Sequence, residues 1–410
     1  MDTKPNTYLN LKTPPEVELI YLDNAATSYP KPPDVYKSMD LVYRTAGVNP
    51  GRSGFDLCRV AGNVIDETRE LLTTLFGGTD PDRLVFSHNA TDALNLALFG
   101  LIGRGDHVVT TQLEHNSVIR PLWTLQEDEG VDVDWIPFGK GGSVDPEAII
   151  ERLRSETKAV VMNHASNVLG TVQDVGAVGK VCRERGIHLV VDVSQTAGKI
   201  PVRMDDLGAD VVCFTGHKSL MGPMGTGGMY VRDGVEIGKT RAGGTGVRSA
   251  ERRHLDEYPY RLEFGTHNLV GIAGLSAGVQ WVNRIGAEAI HAHEMALWQE
   301  LRDGLDTIDG VTVYGHGSGS EDRIAVLSFN VVGFEAADVG TMLDVDSGIA
   351  CRTGLHCAPL VHEALGTDKL HGSVRLSLGP YNTPEQIEQT IEAVREIAEL
   401  GASRGASRSS

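Results

Sequence analysis

Lys218 is the residue whose setting most clearly suggests chemistry. It follows the apolar run Val211–Thr215 and the dipeptide Gly-His, and it precedes a glycine-rich segment at residues 221–228. An amine at the carboxyl end of a strand, beside glycines that allow close approach of a ligand, is suited to a Schiff base with a phosphorylated aldehyde. The alternative is a lysine that reaches the surface after a buried strand.

Asp192 closes another strongly apolar run and precedes Lys218 by 26 positions. A buried carboxylate is costly unless it is paired, and a protonated pyridine nitrogen would be a good partner. Gln195 follows closely and could bond the 3′ oxygen of such a ring. The alternative for Asp192 is a helix cap.

A third strand end predicts a phosphate site. The segment Ser87–Asp92 leads into an apolar helix, whose first N–H groups and the Thr91 hydroxyl could hold a phosphate. Thr91 could equally be only the N-cap of that helix. Phosphate site, ring-nitrogen carboxylate and lysine follow in this order, each at a strand end, and together they favour a phosphorylated pyridine cofactor.

Cys357 is the cysteine whose surroundings favour a reactive thiolate. Gly354 and Pro359 predict a loop, and Arg352 and His356 add positive potential. A structural cysteine would normally lie inside an apolar run. The sequence therefore predicts that Cys357 is the nucleophile.

The other cysteines are predicted to be structural. Cys58, Cys182 and Cys213 lie in apolar surroundings, and Cys351 could be a resolving thiol but is more simply a small buried side chain. The count of five is odd, and neither a Cys-x-x-Cys motif nor a paired histidine spacing occurs. We therefore expect no disulfide framework and no metal site, and a reducing cytoplasm as the compartment.

Arg375 lies in the middle of an apolar strand pattern, Ser373–Gly379. A buried guanidinium needs an anionic partner, and the α-carboxylate of an amino acid offers a planar, bidentate match. The alternative is an internal salt bridge with an Asp or Glu of the small domain.

The elements that must position these residues indicate an α/β fold. Apolar runs of strand length alternate with helical patterns between about residues 80 and 232, and their continuous apolar character predicts a mostly parallel sheet covered on both faces. In such sheets ligands bind at the carboxyl ends of the strands. The predicted strands are Leu84–Ser87, His107–Thr111, Val133–Pro137, Ala159–Asn163, His188–Val193, Val211–Thr215 and Gly228–Val231.

A change of character after residue 265 predicts a smaller α+β domain. One long helical stretch is expected over Val270–Leu305, and a last helix with a Thr383–Gln386 capping box is expected to end at Gly401. The predicted organisation is a large cofactor-binding domain at 22–268, a small domain from 1–21 and 269–401, and a disordered tail at 402–410.

Composition excludes several classes of protein. Counting 37 Lys and Arg against 55 Asp and Glu gives a net charge of −18 over 410 residues, which disfavours binding to nucleic acid and to anionic membranes. The polar segment Met1–Pro15 does not resemble a signal peptide, and no run approaches the ~20 apolar residues of a membrane span.

Five segments resemble the cysteine desulfurases, the class V branch of the fold-type I pyridoxal-phosphate enzymes, over nearly the whole chain. They are Tyr21–Thr27, Leu113–Ser117, Ser166–Thr171, Thr215–Lys218 and Phe264–Asn268. The resemblance implies a seven-stranded large domain with a smaller C-terminal domain, a homodimer, and pyridoxal 5′-phosphate on Lys218. The implied contacts are stacking of His115 on the ring, phosphate binding by Thr215 and His217 with Thr91, contact of Thr266 with the partner's cofactor, and contact of Asn167 with the substrate or the ring oxygen.

The segment around Cys357 resembles the Arg-Thr-Gly-His-His-Cys-Ala motif of the Suf-type desulfurases, with Leu355 in place of the first histidine. This departure, together with differences at Asn49–Gly54 and Arg241–Gly246, indicates the Suf-type group or a desulfurase-like sister subfamily. The implied reaction converts L-cysteine to L-alanine and moves sulfur to Cys357 for iron–sulfur assembly or another transfer pathway. Lys218 would be the base, His115 would carry protons, Arg375 would bind the carboxylate and Arg352 would be a second substrate contact.

Other functions are alternatives for the same residues, and a selenocysteine lyase is the closest of them. A selenocysteine lyase would use the same side chains, whereas a cysteine C–S β-lyase would not require Cys357. A class V aminotransferase is not demanded by any feature. A pyridoxal-phosphate-binding scaffold without turnover would not need Lys218, Arg375 and Cys357 together. A sulfur-acceptor protein is an expected partner whose identity the sequence leaves open.

Overall fold

The computed structural model describes residues 19–50, 54–315 and 322–408. The polar amino-terminal segment at residues 1–15 and the last two residues of the predicted tail lie outside these ranges.

The strands in the described ranges are β1 Ile20–Tyr21, β2 Leu84–Ser87, β3 His107–Thr111, β4 Asp132–Ile136, β5 Thr157–Asn163, β6 His188–Asp192, β7 Val211–Thr215, β8 Gly227–Val231, β9 Val311–Tyr314, β10 Val326–Val331, β11 Ile349–Ala350, β12 Arg352–Gly354 and β13 Ser373–Ser377. The α-helices are α1 Pro33–Ala46, α2 Asp56–Leu75, α3 Ala90–Leu101, α4 Asn116–Glu129, α5 Pro146–Ile150, α6 Val175–Arg185, α7 Met204–Leu207, α8 Leu269–Ile285, α9 Ala287–Asp306, α10 Ala336–Ser347, α11 Pro359–Leu365 and α12 Pro384–Arg408.

The large sheet has seven strands in the order β2-β8-β7-β6-β5-β3-β4. Strand β8 is antiparallel to both of its neighbours, whereas the pairs from β7 to β4 are all parallel. Strand β2 therefore runs in the same direction as the parallel strands. Strands that run in the same direction end at the same edge of the sheet, and this edge holds the carboxyl ends of β2, β5, β6 and β7. Ligands bind at this edge in folds of this class.

The central strands are covered on both faces, as their continuous apolar character predicts. Val190 and Val191 are both fully buried, although alternate residues of a strand point to opposite faces. Val191 belongs to the apolar core on one side of the sheet and Val190 to the core on the other. The predicted mostly parallel sheet with two covered faces is confirmed.

The carboxyl-terminal part builds a second sheet in the order β12-β13-β10-β9, with antiparallel pairing throughout. Its own core includes residues of α9, α10 and α12. Strand β1 pairs in parallel with β11 in a separate two-stranded sheet, and Asp23 forms a bridge to Ser377 of the second sheet. The proposed division into a large and a small domain rests on these two cores.

The helical stretch expected over Val270–Leu305 is two helices, so that expectation is wrong in detail. Gly286, at φ 94°, separates α8 from α9. A residue with a Cβ is strained at this dihedral angle, which is why the glycine interrupts the helix. Leu275 and Val279 of α8 pack into the core of the large sheet, whereas α9 packs with the second sheet.

The capping box of the last helix is confirmed, but the predicted end of that helix at Gly401 is wrong. The backbone N–H of Thr383 donates to Gln386, and the N–H of Gln386 donates back to the Thr383 hydroxyl, both at 3.4 Å. The helix continues through Gly401 to Arg408, so the predicted tail is helical in its described part. A Cβ at Gly401 would lie 2.3 Å from the Val332 carbonyl oxygen, so this glycine serves close packing of the helix and does not end it.

Candidate active site

The structure gathers ten of the twelve predicted site residues around one cavity of about 260 Å³ at the carboxyl edge of the large sheet. The two exceptions are Cys357 and Thr266. The ten are Lys218, Asp192, Gln195, Thr91, His115, Thr215, His217, Asn167, Arg352 and Arg375.

Lys218 follows β7 and projects its amine into this cavity. Burial lowers the pKa of the Lys218 amine to about 8, against the opposing attraction of Asp192, and the positive charges of Arg375 and Arg352 lower it further. An amine with such a pKa is half neutral at about pH 8. It can therefore act as a nucleophile and, once free, as a base.

The backbone just before Lys218 is held by the segment that follows β1. The carbonyl oxygen of His217 accepts hydrogen bonds from the Thr27 hydroxyl at 3.0 Å, the Ser28 N–H at 3.1 Å and the Lys31 amine at 2.5 Å. The Ser28 hydroxyl also donates to the Lys218 carbonyl at 2.8 Å. These contacts fix the peptide that carries the Lys218 side chain.

Asp192 ends β6 as predicted, and it is buried. Its Oδ1 atom accepts a hydrogen bond from the Ser194 N–H at 2.9 Å and another from the Ser194 hydroxyl at 2.5 Å. Asp192 is the one carboxylate among the described residues that line the cavity. The Gln195 amide donates to the Ala25 carbonyl at 3.1 Å, which orients that side chain at the same wall.

The phosphate site that the sequence predicts lies at the start of α3. Asn89 is the N-cap and accepts a hydrogen bond from the Asp92 N–H at 3.0 Å, so the alternative that Thr91 caps the helix is wrong. The Thr91 hydroxyl instead lies 2.6 Å from the Ser117 hydroxyl. Burial lowers the pKa of His217 to about 4, and the charges of Lys218 and Lys31 add to this effect, so His217 is neutral at neutral pH.

His115 lines the cavity and also caps α4, because its Nδ1 atom accepts a hydrogen bond from the Ser117 N–H at 3.1 Å. Burial lowers the pKa of His115 to about 3, and the neighbouring cations Lys218, Arg352 and Arg375 contribute. The ring is therefore neutral at neutral pH. A neutral imidazole can lie flat against an aromatic cofactor without placing another charge in the cavity.

Arg375 is only 1% exposed. It has an ion-pair partner within the chain and one guanidinium nitrogen without a hydrogen-bond partner. One amino group bonds Asp23 Oδ1 at 2.7 Å, and the other donates to the Asn167 carbonyl at 3.1 Å. The Nε atom is buried without a hydrogen-bond partner. The internal salt bridge that was the alternative for Arg375 is thus present, but its partner Asp23 lies near the start of the chain. The Nε atom is left for a ligand.

Cys357 stands beside the cavity wall. Its sulfur lies 3.4 Å from an Arg352 amino group, and its carbonyl accepts a hydrogen bond from the Asn116 N–H at 2.7 Å. The side chain is partly exposed, unlike the buried thiols of Cys58, Cys182 and Cys213. Burial raises the pKa of the Cys351 thiol to about 12, so Cys351 is poorly suited to be a resolving thiol at neutral pH.

Thr266 lies in a separate groove together with Arg241 and His267. The segment that carries it is fixed by a buried network in which Glu263 pairs with Arg69 at 2.8 Å and with His267 at 2.8 Å. The ion pair with Arg69 and the hydrogen bond from His267 hold the pKa of Glu263 down at about 2, against the effect of its burial. Within one copy of the chain, Thr266 is therefore not part of the Lys218 cavity.

Sequence reasoning missed several residues of the site. Asn163 ends β5 and lines the cavity, and Asp23 pairs with Arg375. Glu114, directly before His115, is fully buried and accepts hydrogen bonds from the Thr111 hydroxyl at 2.7 Å and the Asn163 N–H at 3.0 Å. The signal for Asp23 and Glu114 was their position inside the quoted segments Tyr21–Thr27 and Leu113–Ser117.

The cavity fits pyridoxal phosphate in its charge and in its unpaired polar atoms. Six buried polar atoms on residues of its wall lack hydrogen-bond partners within the chain, as expected where a ligand supplies them. Lys218, Arg352 and Arg375 make the wall positive within a chain of net charge −18, which suits a phosphate and a substrate carboxylate. The six atoms are Thr215 Oγ1, His217 Nδ1, Asn163 Oδ1, Asn167 Oδ1, His356 Nδ1 and Arg375 Nε.

Across 19–50, 54–315 and 322–408, no group of three or more His, Cys, Asp or Glu side chains is arranged to hold a metal ion. In the same part of the chain, no helix combines the length and the apolar character needed to cross a bilayer.

Comparison with known proteins places this geometry among characterised folds. Residues 20–390 match the family model described as Aminotransferase class-V. A protein of Methanothermobacter thermautotrophicus named probable cysteine desulfurase is 35% identical over 388 residues, covering 93% of this chain and 95% of that protein. A Haloferax volcanii protein named cysteine desulfurase is 31% identical, covering 94% of this chain and 90% of that protein.

Two solved structures show the same arrangement of the chain. The apo structure of a cysteine desulfurase from Thermococcus onnurineus has a TM-score of 0.87 and 34% identity, covering 93% of this chain and 95% of that one. The cysteine desulfurase CsdA from Escherichia coli, in an S-sulfonic acid form, has a TM-score of 0.82 and 25% identity, with the same shares of 93% and 95% covered.

Proposed function

This chain belongs to the class-V aminotransferase family and, within it, to the pyridoxal-phosphate-dependent cysteine desulfurases, and on that premise we propose which residues perform the reaction. Lys218 holds the cofactor, Arg375 binds the carboxylate of L-cysteine, and Cys357 accepts the sulfur, leaving L-alanine. The observation that carries the proposal is that Lys218, Asp192 and Arg375 face one cavity, and the Cys357 sulfur lies beside Arg352 at its edge.

Pyridoxal phosphate, when bound, supplies an electron-withdrawing ring that stabilises negative charge at the α-carbon of the substrate. In the proposal Asp192 pairs with the ring nitrogen, because it is the one carboxylate in the described wall of the cavity. Thr91, Thr215 and His217 bind the phosphate. Thr215 and His217 each bring a buried polar atom that lacks a partner within the chain.

Substrate orientation comes from Arg375. Its unpaired Nε atom is a ready donor for a carboxylate oxygen, while Asp23 and the Asn167 carbonyl hold the two amino groups. A guanidinium fixed in this way loses little further conformational freedom on binding. The arrangement orients the α-carbon of cysteine without requiring Arg375 to move.

Proton transfer is assigned to the Lys218 amine. Its pKa of about 8 lets Nζ take the α-proton near neutral pH and return a proton to the carbon product. His115 is neutral and would contact the ring of the cofactor. It can hold a proton only transiently, because its pKa of about 3 disfavours the charged ring.

Sulfur transfer is assigned to Cys357. Arg352 lies 3.4 Å from the sulfur and can donate a hydrogen bond to it. The thiolate attacks the sulfur of the substrate, an S–S bond forms as the C–S bond breaks, and the carbon skeleton leaves as alanine after protonation. Cys357 then carries a persulfide, which a thiol reductant or an acceptor protein discharges.

The proposal includes a homodimer. Thr266 lies in a groove separate from the Lys218 cavity, and the Glu263 network holds its segment in place. A second copy would bring its own Thr266 to this cavity and complete the phosphate site. The cytoplasm is the proposed location, on the ground that all five cysteines are free thiols. The proposed destinations of the sulfur are iron–sulfur assembly or another sulfur-transfer pathway.

The test compares the purified holoenzyme with its Cys357→Ala variant. Both are incubated with L-cysteine and a thiol reductant, and alanine, pyruvate and sulfide are assayed together. Equal amounts of alanine and sulfide, lost in the variant while its cofactor absorbance remains, are the expected result. Pyruvate in place of alanine, formed equally well by the variant, would show a β-lyase and refute the role of Cys357. Parallel assays with L-selenocysteine measure the preference between the two substrates.

A further inference from the structure

The loop that carries Cys357 has an unusual backbone. His356 and Cys357 are consecutive non-glycine residues with positive φ, 50° and 60° respectively. The left-handed region is unfavourable for a residue with a Cβ, and two in succession persist only where neighbouring groups hold the backbone. The conformation of the nucleophile therefore depends on contacts made by other parts of the chain.

Each of the two residues has its carbonyl held from outside the loop. The Asn167 side-chain amide donates to the His356 carbonyl at 2.7 Å, and the Asn116 N–H donates to the Cys357 carbonyl at 2.7 Å. The His356 ring is buried, and its Nε2 atom lies 3.2 Å from the Ser373 hydroxyl. Of the two contacts on carbonyls, the one from Asn167 comes from a side chain and can be removed by substitution.

Asn167 also touches the substrate end of the cavity. Its own carbonyl oxygen accepts a hydrogen bond from Arg375 at 3.1 Å, and its side chain is 6% exposed at the cavity wall. One residue thus contacts both the arginine that binds the substrate carboxylate and the loop that presents the thiol. Its Oδ1 atom is buried without a partner, so a contact with cofactor or substrate stays open to it.

We propose that Asn167 is a positioning residue for the nucleophile: its side-chain amide holds the His356 carbonyl and so keeps Cys357 in the left-handed conformation that places its sulfur beside Arg352. The inference rests on the proposed role of Cys357 as the sulfur acceptor. It adds a second task to Asn167, which the sequence associates only with the substrate or the ring oxygen.

The test measures the reactivity of the Cys357 thiol and not turnover. Wild-type holoenzyme and the Asn167→Ala and Asn167→Asp variants are treated with iodoacetamide at pH 7 without L-cysteine, and modification of Cys357 is followed by mass spectrometry. Aspartate keeps the size of asparagine but presents an acceptor to the His356 carbonyl. We expect Cys357 to react about fivefold more slowly in both variants, the equivalent of losing one neutral hydrogen bond, because its sulfur leaves Arg352.

Two controls make the result specific. Asn382→Ala removes a buried amide outside the cavity wall, one that donates to the Tyr21 carbonyl and not to the cysteine loop, so the Cys357 rate should stay within about twofold of wild type. The buried Cys213 reports global unfolding in the same digest.

Slower modification of Cys357 with Cys213 still unmodified supports the inference. An unchanged or faster rate in the Asn167 variants, or a change that appears only together with Cys213 modification, overturns it. Alanine formation by Cys357→Ala tests the acceptor role separately, so the two proposals fail by different measurements.

Discussion

Glu114 is a buried carboxyl group whose ionisation should control the pH dependence of stability. It is 0% exposed, its Oε1 atom accepts two hydrogen bonds, and its Oε2 atom has no partner. Burial raises the pKa of Glu114 from 4.5 to about 8, the neighbouring Asp192 adds to this, and the hydrogen bonds from Thr111 and Asn163 only partly oppose it. The group is therefore protonated in the folded protein at pH 7.

Because folding raises the pKa of Glu114, ionisation of this group at higher pH destabilises the folded protein. In the unfolded chain Glu114 ionises above its usual pKa of 4.5, whereas in the folded chain it holds its proton up to about 8. Its contribution to stability is thus fully present below pH 4.5 and is lost as pH rises through 8. At ~1.4 kcal/mol per pKa unit, the free energy of unfolding at pH 7 is lowered by ~3 kcal/mol relative to a group that cannot ionise.

Glu114→Gln is the perturbation that tests this. The amide oxygen can keep both accepted hydrogen bonds, and the side chain carries no charge at any pH. We expect the variant to gain stability over wild type progressively between pH 5 and 8, by up to ~3 kcal/mol at pH 7. The assay is the midpoint of urea unfolding of holoenzyme at a series of pH values, with the infrared carbonyl band of the protonated carboxyl, absent from the variant, as a direct observation.

Glu263→Gln is the matched control, because Glu263 is equally buried but has a pKa depressed to about 2 by Arg69 and His267. Its contribution is present above its usual pKa of 4.5 and is lost as pH falls through 2, so this variant should be destabilised at neutral pH by ~3–5 kcal/mol, as expected when Arg69 loses its buried partner. Parallel stability profiles for wild type and Glu114→Gln from pH 5 to 9 would refute the reasoning about Glu114.

Three further predictions concern the chemistry. In cofactor-free protein, acylation of Lys218 should reach half its maximal rate near pH 8, because the amine reacts only when neutral; a midpoint near 10.5 would contradict the lowered pKa. Arg375→Lys should raise the KM for L-cysteine by about 10- to 100-fold with a smaller effect on kcat, since the charge-assisted hydrogen bond from Nε to the carboxylate is lost; an unchanged KM in steady-state assays would remove Arg375 from the carboxylate site. Asp192→Asn should lower kcat about 10- to 100-fold while the cofactor stays bound, because an amide cannot pair with a protonated ring nitrogen as a carboxylate does; wild-type kcat with full cofactor absorbance would contradict that pairing.

The order of the site along the chain could be predicted because it depends on local sequence. Thr91, Asp192 and Lys218 each follow an apolar run of strand length, and strands that run in the same direction bring their carboxyl ends to one edge of the sheet. The same local logic predicted the capping box of α12. Patterns of this kind involve neighbours in sequence, so they can be recognised without knowledge of the fold.

Contacts between distant segments could not be predicted in this way. Asp23 and Arg375 are separated by 352 positions, and Asn167 and His356 by 189. Whether Gly401 ends a helix or lets it pack against Val332 likewise depends on the surface that the helix meets. Secondary-structure propensity is a property of a residue type, whereas these two contacts and the role of Gly401 depend on which distant residues lie opposite in the folded chain.

The amino-acid sequence by itself determined the α/β class and the family, and it predicted the residues that are proposed to carry the chemistry, because strand periodicity and motif spacing are local properties of the chain. Only the tertiary structure decided the electrostatics and the geometry of the site. The pKa of Glu114, the unpaired Nε atom of Arg375 and the left-handed backbone at Cys357 all arise from burial and from hydrogen-bond partners supplied by remote segments. Desolvation and pairing are properties of the packed molecule, and no local pattern encodes them.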